Sequence, residues 1–496
     1  MPLRTPWFST LLRSTALKSD LLWVAGGRLV AALATLVAIR VATTLLEPSE
    51  YGLFTVLATF QMFCGLFLIN PVGQYINRHT HEWGDDGSLY ARLVRFRSYV
   101  LVAAAAGALA VGIWAALAPT PSPRLIAYML VVFGMVVAAT WNATYVVLLN
   151  MFGHRASSVL WGTGTVVLGL AFSSLLVVVF GGGLSWFAGQ ATGMALGALG
   201  ARHVLLKTRP KLALAPVKPL LEAGALRQYI LPLAVATGFM WCLVSGYRLV
   251  IDLHWGLAAL GALAVGFTLA TQLWGLAESL GMQYLFPLYY RRIAHAGKEE
   301  GAQAFSDLLN TLGPVYVVLA AAMLPSAAAL LKVFVSAQYA NVVLFLQWGA
   351  LFEFCRVAGN LLGSAAQVER RMTGLILPYL AGALVLAVGL LALGQRSAPI
   401  EHAAALVAAS GAVMLLVMGV LMRWRLPYRF DLARWGFACA VLACSVAGVY
   451  WSGFAVNNWE QAAWHVAVVG VAAMVCIAAL LWKNPAVKEL MAVRLS

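Results

Sequence analysis

The sequence predicts an all-α polytopic membrane protein of about fourteen helices in a six-plus-six-plus-two layout. Three observations carry that prediction. Of 496 residues, 62% are hydrophobic and only 10% charged, against about 45–50% and about 25% in a soluble domain. Apolar runs of about 20 residues recur along the whole chain, which leaves no room for a soluble catalytic domain. The 33 Lys and Arg residues gather in alternate connecting segments, as the positive-inside rule requires.

Hydropathy places the spans at roughly 21–46, 50–76, 98–118, 124–150, 156–180, 183–206, 227–250, 256–288, 306–332, 340–366, 372–394, 400–422, 435–455 and 461–482. Each even-numbered span returns to a basic segment: Arg78, Arg92, Arg95 and Arg97 after the second, Lys207, Arg209, Lys211 and Lys218 after the sixth. Arg291 and Arg292 follow the eighth, Arg370 and Arg371 the tenth, and Arg423, Arg425, Arg429 and Arg434 the twelfth. The opposite loops ("EPSE", "APTPSP", "FGGG", "SGFAVNNWE") are short and nearly free of Lys and Arg. The net charge of +15 therefore orients the protein, with both termini cytoplasmic, and nucleic acid is not an expected partner. The first span is too long for a signal-peptide core and is expected to be retained.

The basic, proline-bearing stretch 207–229 is the one sizeable internal break, with a short interfacial helix expected at 219–226. It defines an N-terminal bundle (1–206), a linker (207–226), a C-terminal bundle (227–423) and a final helix pair (424–496). The halves echo each other: Arg40 and Arg248 fall near the outer ends of spans 1 and 7, and "EYGLFTV" in span 2 answers "LAVGFTLA" in span 8. Six spans bring the chain back to its starting side, so the halves form a parallel repeat of the transporter type. Cys64, Cys242, Cys355, Cys439, Cys444 and Cys476 fall inside spans, without disulfide or zinc spacing.

Polar residues in the spans collect on stripes. Glu353, Arg356, Asn360, Ser364 and Gln367 share an arc of roughly 80° in span 10, and so do Thr237, Trp241, Ser245, Arg248 and Asp252 in span 7. Span 2 aligns Thr55, Thr59, Asn70, Gln74 and Asn77 within roughly 100°, and span 8 gathers Thr268, Thr271, Gln272, Glu278, Ser279 and Gln283 within roughly 140°. Arg28 aligns with Thr35 and Thr43. One or two hydroxyls per helix serve as interhelical glue, but five polar groups including a guanidinium and a carboxylate point to a water-filled cavity. Alternatives stay open for single charges: Arg40 snorkels to the outer surface or faces the cavity, Arg248 pairs with Asp252 or faces the cavity, and Glu353 and Arg356 form an i,i+3 ion pair. Glu278, deep in span 8, is the leading ion-coupling carboxylate, with Glu353 and Asp252 behind it. "RHTHEWGDD" reads as a solvated cytoplasmic loop rather than a metal site. No HExxH, GxSxG or Walker A pattern occurs, so neither an enzyme nor a cofactor is expected.

The stretch "IRVATTLLEPSEYGLFTVLATFQMFCGLFLINPVGQYINR" resembles the opening of the Wzx-like polysaccharide flippases, a branch of the multidrug/oligosaccharidyl-lipid/polysaccharide exporter superfamily. Arg40, Leu46, Pro48, Glu50, Tyr51, Gly52, Leu53 and Phe54 carry the likeness. It implies two six-helix bundles around a central cavity. It also implies alternating-access movement of a polyprenyl-pyrophosphate-linked oligosaccharide to the outer leaflet of the inner membrane, for polysaccharide synthesis and export. Polysaccharide polymerase and chain-length machinery would be neighbours, and membrane lipids the surroundings. The substrate-binding set is then Arg28, Arg40, Arg248, Arg356, Asn70, Gln74, Gln272 and Asn360, since Arg keeps its charge and grips phosphate oxygens as a fork. A peptidoglycan-precursor flippase and a cation-coupled drug exporter would share the fold; an intramembrane glycosyltransferase or polymerase would need acidic residues in a sizeable loop.

Overall fold

A computed structural model of the chain describes residues 26–27, 29–117, 123–208, 220, 224, 226–293, 297–368, 372–452, 458–482 and 484. Among the described residues the secondary structure is helical, with no strand. Ten helices are long and apolar enough to cross a membrane, and two shorter apolar ones, Leu29–Leu45 and Leu432–Gly448, accompany them. The protein is therefore a multi-pass membrane protein. The difference from fourteen has local causes. Leu231–Tyr284 runs 54 residues as one segment, far beyond a single crossing, and is broken at Gly256, whose φ of 80° and ψ of 170° are closed to residues with a Cβ. Gly182–Thr208 is glycine-rich and falls outside the ten. The expected interfacial helix at 219–226 lies almost wholly outside the described residues.

The chain forms two compact units: one comprising residues up to Ala38 together with Leu57–Ala234, the other Ile39–Val56 together with Val235–Ser496. The C-terminal end of the first helix and the first turns of the second thus belong to the second unit. The final helix pair also does: Val317 and Val318 of Lys298–Met323 pack with Ala438 and Leu480, flanked by Trp435 and Phe354.

In the first unit, small residues decide the packing. Gly189, Gly193 and Gly197 stand one turn apart along Gly182–Thr208. A Cβ on Gly193 would lie 2.4 Å from the Gly169 nitrogen, and one on Gly197 would lie 1.9 Å from the Thr165 hydroxyl. Helix Arg155–Phe180 therefore sits backbone to backbone on its successor, gaining dispersion contacts that lipid cannot compete for. The second span contains a wide π turn, Cys64–Ile69, immediately before Pro71. Pro71 has no N–H to offer the Phe67 carbonyl, and just before it the Asn70 N–H reaches back five residues to the Gly65 carbonyl, the π-type bond. The Tyr99 hydroxyl satisfies the Leu68 carbonyl at 2.6 Å.

The segment carrying His79, His81, Glu82 and Asp85 is not a solvated loop but the continuation of helix Asn70–Asp85. Val72, Tyr75, Ile76, Thr80 and Trp83 fall on its buried face, the helical spacing that keeps it folded. Trp83 is fully buried beneath the Arg92 guanidinium, 4.1 Å from the ring, and stacks on His79.

Candidate functional site

The second unit contains a charged network held by a close helix crossing. A Cβ on Gly266 would stand 2.7 Å from the Leu346 nitrogen, so Tyr247–Tyr284 and Val343–Gly363 approach at backbone distance. That crossing brings the Thr271 hydroxyl to 2.9 Å from Oε1 of Glu353. Arg356, one turn on, donates through Nε to Oε2 of Glu353 at 2.7 Å and through Nη2 to Oε2 of Glu278 at 3.0 Å. Asn360 donates to Oε1 of Glu278 at 2.8 Å, and the Tyr379 hydroxyl donates to Asn360 at 3.2 Å. Glu353 is 2% exposed, Arg356 13% and Glu278 23%, so Glu278 is the member nearest to solvent. It opens on a cavity of about 220 Å³ also lined by Tyr290, Tyr316, Asn360, Ser364 and Tyr379.

The i,i+3 pairing of Glu353 with Arg356 is thus present, and Glu278 joins it from another helix. Two carboxylates share one guanidinium, leaving one formal negative charge. Burying carboxylates is costly unless each oxygen is matched, and here the Thr271 hydroxyl and the Asn360 amide supply the partners that Arg356 does not. The triad fixes Arg356 between two acids, so its charge is already met within the protein. The span 10 stripe contained three of these residues, and span 8 supplied Thr271 and Glu278. Tyr316 and Tyr379 had no periodic signal, because a single hydroxyl on an apolar helix looks like core.

Arg248 has a different setting. It follows the π turn Cys242–Gly246, is half-buried, and lies beside the Tyr247 ring, 5.9 Å from its centroid. Its side chain hydrogen-bonds Tyr247 and its charge acts on Tyr51. Its Nε is buried with no hydrogen-bond partner among the described residues. Among the described residues no salt bridge joins it to a carboxylate, and Asp252, half-buried one turn on, has a partner of its own.

Arg40 is exposed and donates to the Val335 and Lys332 carbonyls, where helix Ala327–Phe334 ends. A cation there meets carbonyls that have no helical donor. Around it the motif residues dock on the same segment. Gln338 and the Tyr339 hydroxyl both donate to the Leu46 carbonyl at 2.9 Å, and Tyr51 packs against Tyr339. Gly52 has no room for a side chain: a Cβ would stand 2.0 Å from the Leu257 carbonyl oxygen. The residues from Arg40 to Phe54 that carry the family likeness therefore form a packing element of the second unit. In the first unit, Gln74 donates to Asn70 at 3.3 Å, just after the Cys64–Ile69 π turn. Gln272 is half-buried, and Arg28 lies outside the described residues.

No protein-family model matches the sequence, and no curated protein matches it. Solved structures do. Two solved multi-pass helical membrane proteins match nearly the whole chain. One is the lipid II flippase MurJ in an inward closed conformation, matched with a TM-score of 0.64 and 10% identity over 94% of this chain and 99% of that one. Another is the eukaryotic MATE transporter AtDTX14, matched with a TM-score of 0.52 and 16% identity over 92% of this chain and 99% of that one. At these identities the likeness establishes the fold.

Proposed function

We propose that the protein is a membrane transporter, not an enzyme, that flips a polyprenyl-pyrophosphate-linked oligosaccharide across the inner membrane for polysaccharide export. Arg248 carries the reading. A guanidinium within a membrane helix, with one N–H orphaned and no carboxylate paired to it, is poised for an anion from outside the protein. A pyrophosphate is the part of such a lipid that most resists hydrocarbon, and a fork of N–H donors replaces its water. Arg28, the second intramembrane arginine that the sequence offers, is assigned the same role, with Asn70, Gln74, Gln272 and Asn360 as sugar-binding groups. Arg40 and Arg356, whose N–H groups already have partners in the protein, contribute as positioning residues.

A cation-coupled drug exporter would be served by free carboxylates, whereas Glu278 and Glu353 share Arg356. Glu278, beside the cavity, is the group we assign to ion coupling: its protonation would release Arg356 on one side. A lipid II flippase remains the second reading, because the MurJ fold extends over nearly the whole chain. Both cargoes present a pyrophosphate to Arg248.

Reconstitution in liposomes tests the proposal with two fluorescent cargoes, an oligosaccharide polyprenyl pyrophosphate and lipid II. The expected result is transport of the first in preference to the second, lost in Arg28→Ala and in Arg248→Ala while both variants stay membrane-inserted. Full transport by both variants overturns the anion-binding role, and preference for lipid II moves the cargo to the second reading.

A further inference from the structure

The first unit contains a groove of about 520 Å³ that none of the transport residues line. Three helices build it: the beginning of Leu89–Leu117, the middle of Leu125–Met151 and the second half of Gly182–Thr208. Its walls are hydrocarbon (Leu93, Val94, Phe133, Val137, Leu199), and Val94 and Leu199 are exposed. Gly134 lies open in it: a Cβ there would meet nothing within 4 Å. At the basic end of these helices stand Arg97 and Arg202, both exposed. The charges of both act on the Tyr145 hydroxyl, which hydrogen-bonds Arg202. Tyr145 stacks on Trp141 at 5.1 Å, which fixes the polar end of the groove.

Neither arginine has an internal counter-charge. The four helices from Leu89 to Thr208 contain no Asp or Glu, and among the described residues no ion pair involves Arg97 or Arg202. An apolar trough facing hydrocarbon is filled by a chain, and two guanidiniums beside it at the membrane surface select a phosphate. We propose that this groove is a binding site for an anionic glycerophospholipid of the leaflet on the positively charged side. The phosphate sits between Arg97, Arg202 and Tyr145, and one acyl chain lies over Gly134. The volume falls within the roughly 300–1,000 Å³ of ordinary ligand sites.

The full chain, delipidated in detergent and titrated with defined lipids under native mass spectrometry, provides the test. Phosphatidylglycerol should occupy the tightest site about thirtyfold more strongly than phosphatidylcholine, the ratio expected for two surface cations. Arg97→Gln with Arg202→Gln should bring the two lipids close to parity, and the double Lys variant should restore most of the preference. Gly134→Phe, which points into open space and leaves the charges in place, should weaken both lipids at that site. Equal affinities in the unaltered protein, or unchanged binding in Gly134→Phe, overturn the proposal. So does displacement of phosphatidylglycerol by an equal amount of polyprenyl pyrophosphate, which would make the groove a cargo site.

Discussion

The two units solve the problem of living in hydrocarbon differently. Helices Arg155–Phe180 and Gly182–Thr208 of the first unit hold together through glycines, with no acidic residue in either. The second unit buries Glu353, Arg356 and Glu278 between its helices and joins them by hydrogen bonds of 2.7 to 3.0 Å. Glycine packing gains its energy from close backbone approach, is insensitive to pH and salt, and tolerates no added atoms. A charged network tolerates changes of shape better but depends on its protonation state, because each member is stable only while its partner is charged. Among the described residues of the first unit, Arg97 and Arg202 form no ion pair, and the four helices from Leu89 to Thr208 contain no acid to meet them.

The largest expected effect tests the second half of that contrast. Arg356→Met leaves two carboxylates buried without their common partner and should destabilise the protein by about 3–5 kcal/mol, read as a fall in thermal unfolding midpoint. Adding Glu278→Gln and Glu353→Gln should recover most of that loss, and a failure to recover would mean that Arg356 acts through packing alone. Next comes Gly193→Leu in the first unit, where the new side chain meets the Gly169 backbone at 2.4 Å. Overpacking of about 1–3 kcal/mol is expected. Its effect should not change between pH 5.5 and 8, since no ionised group is involved.

Glu278→Gln should cost only about 1 kcal/mol, because Arg356 keeps Glu353. Its effect lies in function: transport measured against pH should become flat, and an unchanged profile would assign coupling to another group. Arg40→Ala should be mildest, about 0.3–1 kcal/mol, the worth of a cation at an exposed helix C-terminus. Loss of transport in that variant without loss of stability would restore Arg40 to the cargo path.

Much of the site was legible in the sequence because helical periodicity is strict. Glu353, Arg356 and Asn360 share a face at i, i+3 and i+7, so their convergence follows from the backbone alone. The link to Glu278 was not legible, since it depends on which helix crosses Val343–Gly363 and at what register. Gly266 decides that crossing, and a glycine in an apolar run has no partner written beside it. The same holds for Arg40. Its distance from the span boundary allowed a cavity role or a surface one, and only the end of Ala327–Phe334, about 290 residues on by the 292 and 295 separations of its two bonds, supplies the carbonyls it meets. The helical nature of 70–85 is written in its buried face, Val72, Tyr75, Ile76, Thr80 and Trp83, while the polar residues between them occupy the other face.

Composition and charge asymmetry by themselves determined that this chain spans a membrane many times, because backbone polar groups in hydrocarbon admit few solutions and helices satisfy theirs locally. Tertiary structure alone decided which charges are neutralised inside the protein and by which partners. That distinction rests on distances of about 3 Å between helices remote in sequence, and no local periodicity encodes them.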